Sequence, residues 1–316
     1  MNSTQDIVQQ IKQNISKVIV GKADAAQLLL IALLCRGHVL IEDVPGVGKT
    51  TLVSALARSL DCSFKRIQFT PDITPSDITG FTMANFKTGE MEYHKGLIMS
   101  QIVLADEINR TSPKTQSSLL EVMEEGQVTV DGTTYQMPKP FIVLATQNPV
   151  EFVGTYPLPE AQLDRFFMRI SIGYPTAEEE AEILGRYTTG ARPLETLSPI
   201  CSARDIVALS RKVDDVYASK EVRTYIANIA AASRKSQGLQ LGISTRASIS
   251  LLKGAQARAL LSGRDYVLPE DVQQMAGPIL THRIMLSPEA RMRNLSTERA
   301  LSALISSVQV PVRMPS

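Results

Sequence analysis

The run His38-Val39-Leu40-Ile41-Glu42-Asp43-Val44-Pro45-Gly46-Val47-Gly48-Lys49-Thr50-Thr51 decides how the chain is read. His38 to Ile41 is short and apolar, as a buried strand is, and Leu52, Val53, Leu56, Ala57 and Leu60 recur beyond the glycines at helical spacing. Strand, glycine loop and helix therefore follow in the order that a phosphate-binding loop requires. In such a loop, entered through Pro45, the backbone N–H groups of Gly46-Val47-Gly48 and of the helix start converge on one point, where the helix dipole adds positive potential. Lys49 is expected to reach the β and γ phosphates and the Thr50 hydroxyl to coordinate Mg²⁺, with Thr51 counted among the nucleotide-binding residues. The full pattern asks for glycine at position 43, where this chain has Asp43.

Working outward, Ile102-Val103-Leu104-Ala105-Asp106-Glu107 is an apolar strand ending in two carboxylates. Such a strand tip delivers Asp106 to a magnesium shell and lets Glu107 orient, or take a proton from, an attacking water. Phe141 to Ala145 is a second buried strand, running into Thr146-Gln147-Asn148-Pro149, where Asn148 either contacts the water and γ-phosphate or starts a turn. Leu163-Asp164-Arg165-Phe166 is expected in a short helix beginning near Pro159-Glu160. Arg165 there is either an arginine entering a neighbouring subunit's site or half of an Asp–Arg surface pair. Gly242-Ile243-Ser244-Thr245-Arg246-Ala247 opens a later helix, capped by Ser244 or Thr245. Arg246 lies in its first turn, where a cation opposes the helix dipole and calls for an anion beyond it.

Helices are expected over Gln5–Lys17 and Asp24–Cys35, a further strand over Phe64–Phe69, and a helix over Lys114–Glu124. This is α/β alternation around a parallel sheet. Two hairpins decorate it: Met83–Phe86 with Glu90–Tyr93, and Gln127–Val130 with Thr133–Gln136 across Asp131-Gly132. After Tyr187 the texture changes, Gly190 to Pro199 reading as a linker. Helices then follow over Ala203–Lys212, Lys220–Ser233, Arg246–Leu261, Pro269–Thr281 and Thr297–Ser306. The division is an α/β core over residues 1–189 and a small all-helical domain over 190–316.

The 316 residues suit two domains, and 44% hydrophobic with 21% charged content argues against disorder. The longest apolar run, Leu28 to Cys35, is far short of a membrane span, and the polar segment Met1 to Lys17 does not read as a secretory signal. A cytoplasmic location is the expectation. Cys35, Cys62 and Cys201 suggest buried, reduced thiols rather than a disulfide or zinc framework, and His38, His94 and His282 are too dispersed to suggest a metal centre. The overall charge of +1 conceals −6 over residues 1–189 and +7 over 190–316. The basic part either grips nucleic acid or docks on an acidic one. Docking is favoured, because its Lys and Arg residues are scattered along helices without interleaved aromatics.

Taken together, these motifs resemble the AAA+ ATPases, which are P-loop NTPases, and within them the MoxR family. The likeness rests on Glu42 to Thr50, Ala105-Asp106-Glu107-Ile108-Asn109-Arg110, Ala145 to Pro149, Gly154 to Phe166 with its Pro-Glu-Ala-Gln-Leu-Asp-Arg-Phe run, and Gly242 to Ala247. Asp43 is usual in that family. The resemblance implies ATP and Mg²⁺ as ligands, a helical lid domain, and hydrolysis driving chaperone-like remodelling or activation of a protein complex. It further implies Asn148 as first sensor, Arg165 as a finger acting in trans with Arg169 as the alternative, and Arg246 as second sensor reporting the subunit's own γ-phosphate. Val20 and Gly21 would lie beside the adenine. A homo-oligomeric ring, most simply a hexamer, is expected, with a protein client engaged through a separate von Willebrand factor A domain partner. Nucleic acid is not expected, although an AAA+ nucleic-acid motor and a nucleotide-gated scaffold with little turnover are the competing readings.

Overall fold

The computed structural model describes residues 4–148, 154–188 and 193–311. The chain opens with α1 (Thr4–Ser16) and α2 (Ala23–Leu34), then β1 (Val39–Glu42), α3 (Lys49–Ser59), β2 (Phe64–Gln68) and the short α4 (Pro75–Thr79). A first hairpin, β3 (Gly80–Ala84) and β4 (Met91–Lys95), precedes β5 (Ile102–Asp106) and α5 (Pro113–Glu125). A second, β6 (Gln127–Val130) and β7 (Thr133–Gln136), precedes β8 (Ile142–Gln147), α6 (Glu160–Leu163), β9 (Met168–Ile170) and α7 (Ala177–Tyr187). The remainder holds α8 (Ala203–Asp215), α9 (Lys220–Lys235), β10 (Leu239–Leu241), α10 (Thr245–Leu261), α11 (Pro269–Leu280), β11 (Met285–Leu286), α12 (Pro288–Met292) and α13 (Thr297–Ser307).

Five strands form a parallel sheet in the order β2-β5-β8-β1-β9. Its central strands read as continuous apolar runs because both faces are covered, the usual condition of a parallel sheet. Val39, Ile41, Ile102, Leu104, Ile142 and Leu144 join α1, α2 and α3 in one core. Leu40, Val103, Ala105, Val143 and Ala145 point the other way and pack with Leu119, Leu120 and Met123 of α5. That helix is sharply bounded: the Ser112 hydroxyl accepts the Thr115 N–H, Pro113 takes the first turn, and Gly126 closes the end in the left-handed conformation.

The lid region, from Ala203 onward, does not have a separate core. Ile206, Leu209, Val213, Leu251 and Ala255 belong to the same cluster as Leu29, Leu33 and Ile11. Ion pairs cross in the sense that the charge asymmetry suggests, with Arg246 and Arg283 of the basic part meeting Glu124 and Asp164 of the acidic part. The expected boundary at 189/190 falls outside the described residues.

Three expectations need correction. The lid is not all-helical, because β10 and β11 pair antiparallel in it; two to three residues are too few for a period to show. The first hairpin begins earlier than expected: Asn85 O accepts the Gly89 N–H and Asn85 Oδ1 the Lys87 N–H, which moves Asn85, Phe86 and Glu90 into the turn. The three cysteines are free but only half-buried. Among the described residues no helix is long and apolar enough to cross a membrane.

Candidate nucleotide site

Three adjacent strands end together. β1 runs into Asp43 and the glycine loop, β8 beside it into Asn148, and β5 beyond β8 into Asp106 and Glu107, with Glu42 opposite Gln147 and Ala105 opposite Ala145. Gly46 and Gly48 have φ of 87° and 86°, a region that side-chain-bearing residues rarely occupy, and Gly48 caps α3. The first N–H groups of an eleven-residue helix thus open onto the loop that Pro45, Gly46, Val47 and Gly48 form, with Lys49, Thr50 and Thr51 as its first turn.

Lys49 lies back along the loop, Nζ donating to the Asp43 carbonyl at 2.9 Å. Burial lowers its pKa from the ordinary lysine value, opposed by the carboxylates of Asp43, Asp106 and Glu107 nearby. Asp43 is no placeholder for glycine: its buried carboxylate accepts the Ile172 N–H and, at 3.1 Å, the Gly173 N–H, pinning the segment after β9 to the loop.

The two carboxylates at the tip of β5 are held differently. Asp106 Oδ1 accepts the Thr146 hydroxyl at 2.6 Å and Oδ2 accepts Arg66 Nη2 at 2.6 Å. Glu107 has a φ of 59°, unusual outside glycine and worth about 1–3 kcal/mol of strain. Its N–H donates to Thr146 Oγ1 at 2.8 Å, while Gln68 Nε2 and Arg110 Nη1 hold its Oε2 at 2.9 and 3.0 Å. A carboxylate so oriented can position a water, and the oxygens of Asp106 and Thr50 are of the hard kind that would suit Mg²⁺ beside a phosphate. Among the described residues no cluster of three or more His, Cys, Asp or Glu side chains is arranged to hold a metal by itself. Val20 is buried, and Gly21 passes so close to the Glu179 carboxylate that a side chain there would collide with it.

A family model described as the ATPase family associated with various cellular activities (AAA) matches residues 38–168, and one described as an AAA lid domain matches residues 231–304. The chain is 40% identical to Chaperone MoxR1 of Mycobacterium tuberculosis, over 94% of this chain and 80% of that protein. It is 33% identical to Protein MoxR of Paracoccus denitrificans, over 94% and 93%. The chain belongs to the MoxR family of AAA+ ATPases. Within the family's reach it is also 54% identical to protein YeaC of Bacillus subtilis, over 95% and 94%. A crystal structure of a candidate ATPase from Cytophaga hutchinsonii superposes on this MoxR-family chain with a TM-score of 0.91 at 40% identity, covering 98% and 96%.

The remaining two arginines do not join the loop. Arg165 follows α6 rather than sitting in it, because the helix stops at Leu163 with Asp164 as its cap. Arg165 and Arg246 meet instead on Glu124, at 2.8 and 2.5 Å. Glu124 lies at the opposite end of the strands from the glycine loop: His38, which precedes β1, contacts the Met123 carbonyl at 2.8 Å, and Phe167 N donates to His38 O ahead of β9. The lid docks α10 against the end of α5, which pairs Arg246 with Glu124. Arg169 instead pairs with Glu42 at 3.1 Å and Glu298 at 3.4 Å. The residues that sequence reasoning missed, Arg66, Gln68, Thr146 and Glu124, are polar side chains whose partners lie between 39 and 122 positions away. The spacing of Arg66 and Gln68 along one face of β2 was the only local signal.

Proposed function

We propose that this protein hydrolyses ATP with Mg²⁺ at the joint tip of β1, β5 and β8 and uses the cycle to remodel a partner protein. The observation that carries this reading is that β1, β5 and β8 end side by side, so that the glycine loop with Lys49 lies at the same end of the sheet as Asp106 and Glu107. Lys49 and the loop N–H groups bind the phosphates, and Val20 and Gly21 flank the adenine. Thr50 and Asp106 hold Mg²⁺, which neutralises charge on the phosphate oxygens. Asn148, at the tip of β8, and Glu107 orient the attacking water.

The phosphate loop and the Arg165–Arg246 pair lie at opposite ends of the strands, which favours a head-to-tail ring, most simply a hexamer, in which one subunit's arginine side meets the next subunit's phosphate side. Arg165 is the finger in this reading, Arg169 being engaged by Glu42 beside its own subunit's loop, and Arg246 acts in trans with it. MoxR1 is named a chaperone. That name favours a protein client over a nucleic acid; in this reading the client is met in the cytoplasm through a separate von Willebrand factor A domain protein.

The test is a pair of variants. Lys49→Ala is expected to abolish ATP binding, whereas Glu107→Gln should bind ATP and fail to turn it over. Wild-type turnover in Glu107→Gln would overturn the assignment. Partner proteins retained by the ATP-loaded Glu107→Gln form, and turnover measured with and without DNA, identify the client class.

A further inference from the structure

Glu124 ends α5 with one carboxylate shared between two guanidinium groups from distant parts of the chain. Its Oε1 accepts from Arg246 Nη2 of the lid at 2.5 Å, and Oε2 lies 2.8 Å from Arg165 Nη1 of the core, which also donates to the Leu120 carbonyl at 3.2 Å. The hydrogen bond from Arg246, aided by the charge of Arg165, holds Glu124 below the usual glutamate pKa. Asp164 lies 3.9 Å from Arg246 and 3.1 Å from the buried Arg283. Three guanidinium groups thus surround two carboxylates, leaving the cluster with an excess positive charge.

The backbone under this cluster is fixed from inside. His38 Nδ1 accepts the Val143 N–H at 2.9 Å, so its Nε2 carries the proton and donates to Met123 O, next to Glu124. His282 Nε2 contacts Phe166 O, next to Arg165, at 3.0 Å, and Arg283 Nη2 donates to the same carbonyl at 2.7 Å. Glu124 and Arg165 therefore stand on a rigid frame, while Arg246 arrives with the lid. Two like charges drawn to one spot separate when the counter-charge between them is removed. A guanidinium carries five N–H donors in a planar fork, more than one shared carboxylate can take, so both arginines can bind an anion without leaving Glu124.

We infer that Glu124 is a positioning residue that gathers Arg165 and Arg246 into a two-pronged clamp for the terminal phosphate of a neighbouring subunit's nucleotide. This rests on the reading of Arg165 as a finger acting in trans. Glu124 touches no substrate; it acts through the two arginines, and it ties the placement of the lid to that of the finger.

The experiment compares the assembled full-length protein with Glu124→Gln, Arg246→Ala and the double variant. Glu124→Gln is expected to lower kcat for ATP about tenfold or more, the scale on which misplaced catalytic groups act, with KM within about twofold. In the double variant the loss should exceed that of Arg246→Ala by less than about twofold, because the residues work as one unit. Hydrogen exchange of the nucleotide-free subunit should quicken both in the first turn of α10 and around Arg165 in Glu124→Gln. Turnover at or above wild type, multiplying losses in the double variant, or unchanged exchange at either segment overturns the inference. Arg165→Ala with full turnover would instead overturn the finger reading, while the exchange measurement would still judge whether Glu124 holds the two segments.

Discussion

The Thr146 hydroxyl donates to the Asp106 carboxylate at 2.6 Å, joining the tips of two neighbouring strands. The same oxygen accepts the Glu107 N–H, the residue held at positive φ. One buried side chain therefore orients the proposed magnesium ligand and stabilises the backbone of the proposed water-positioning glutamate.

Thr146→Val, which keeps the shape and removes the hydroxyl, leaves a buried N–H unpaired and releases Asp106. The expected stability loss is about 1–3 kcal/mol, the usual cost of an unsatisfied buried donor. Turnover should fall further than ATP affinity, because the phosphate loop itself is untouched. Urea denaturation and steady-state kinetics read the two effects, and wild-type turnover in a folded Thr146→Val would remove Thr146 from this role.

Asp43 stands where the general loop pattern has glycine, and it bonds two backbone N–H groups beyond β9. Restoring the pattern with Asp43→Gly should therefore destabilise the protein rather than improve it. The expected loss is about 2–3 kcal/mol, from an orphaned Ile172 N–H and a more flexible chain. A melting temperature equal to wild type would show that the segment after β9 is held by other means.

Two buried histidines set a pH dependence. Burial pushes His38 down to about 4 and His282 down to about 3. Both stay neutral in the folded chain while the unfolded chain takes up their protons below about 6.5. Their contribution to stability is thus complete above pH 6.5, declines as the pH falls, and is exhausted once the pH has passed through the folded values near 4 and 3. Each contributes a slope of about 1.4 kcal/mol per pH unit within its window. His282→Gln keeps a donor toward Phe166 O and should reduce the slope between pH 6 and 4.5 by about that amount. An unchanged slope would mean that His282 protonates in the folded state.

The phosphate loop and the strands β2, β5 and β8 were legible because their signals are local: apolar runs, turn glycines and a helix start within a few positions. β9 was not, since Met168-Arg169-Ile170 is three residues long with a cation at its centre, and only the pairing of Arg169 with Glu42 and Glu298 shows why that cation is tolerated. The partner of Arg246 was not legible for a related reason. A cation in a helix's first turn does call for an anion, but the anion is Glu124, 122 positions earlier, and nothing local says which side of the sheet the lid covers.

That pairing leads to a sharp test in mixed assemblies. Glu107→Gln subunits keep both arginines but cannot hydrolyse their own ATP under the proposed mechanism. If Arg165 serves the neighbour, Arg165→Ala subunits should recover turnover on mixing with Glu107→Gln, because an intact Glu107 then meets an intact finger across an interface. Since Arg246 shares Glu124 with Arg165 at the end of the strands away from its own loop, Arg246→Ala should be rescued by the same partner. Were Arg246 to act on its own subunit's nucleotide, no site in the mixture would hold both Arg246 and Glu107, and turnover would stay at the level of the separate variants. Rescue of Arg165→Ala without rescue of Arg246→Ala would therefore keep the finger and return Arg246 to its own subunit.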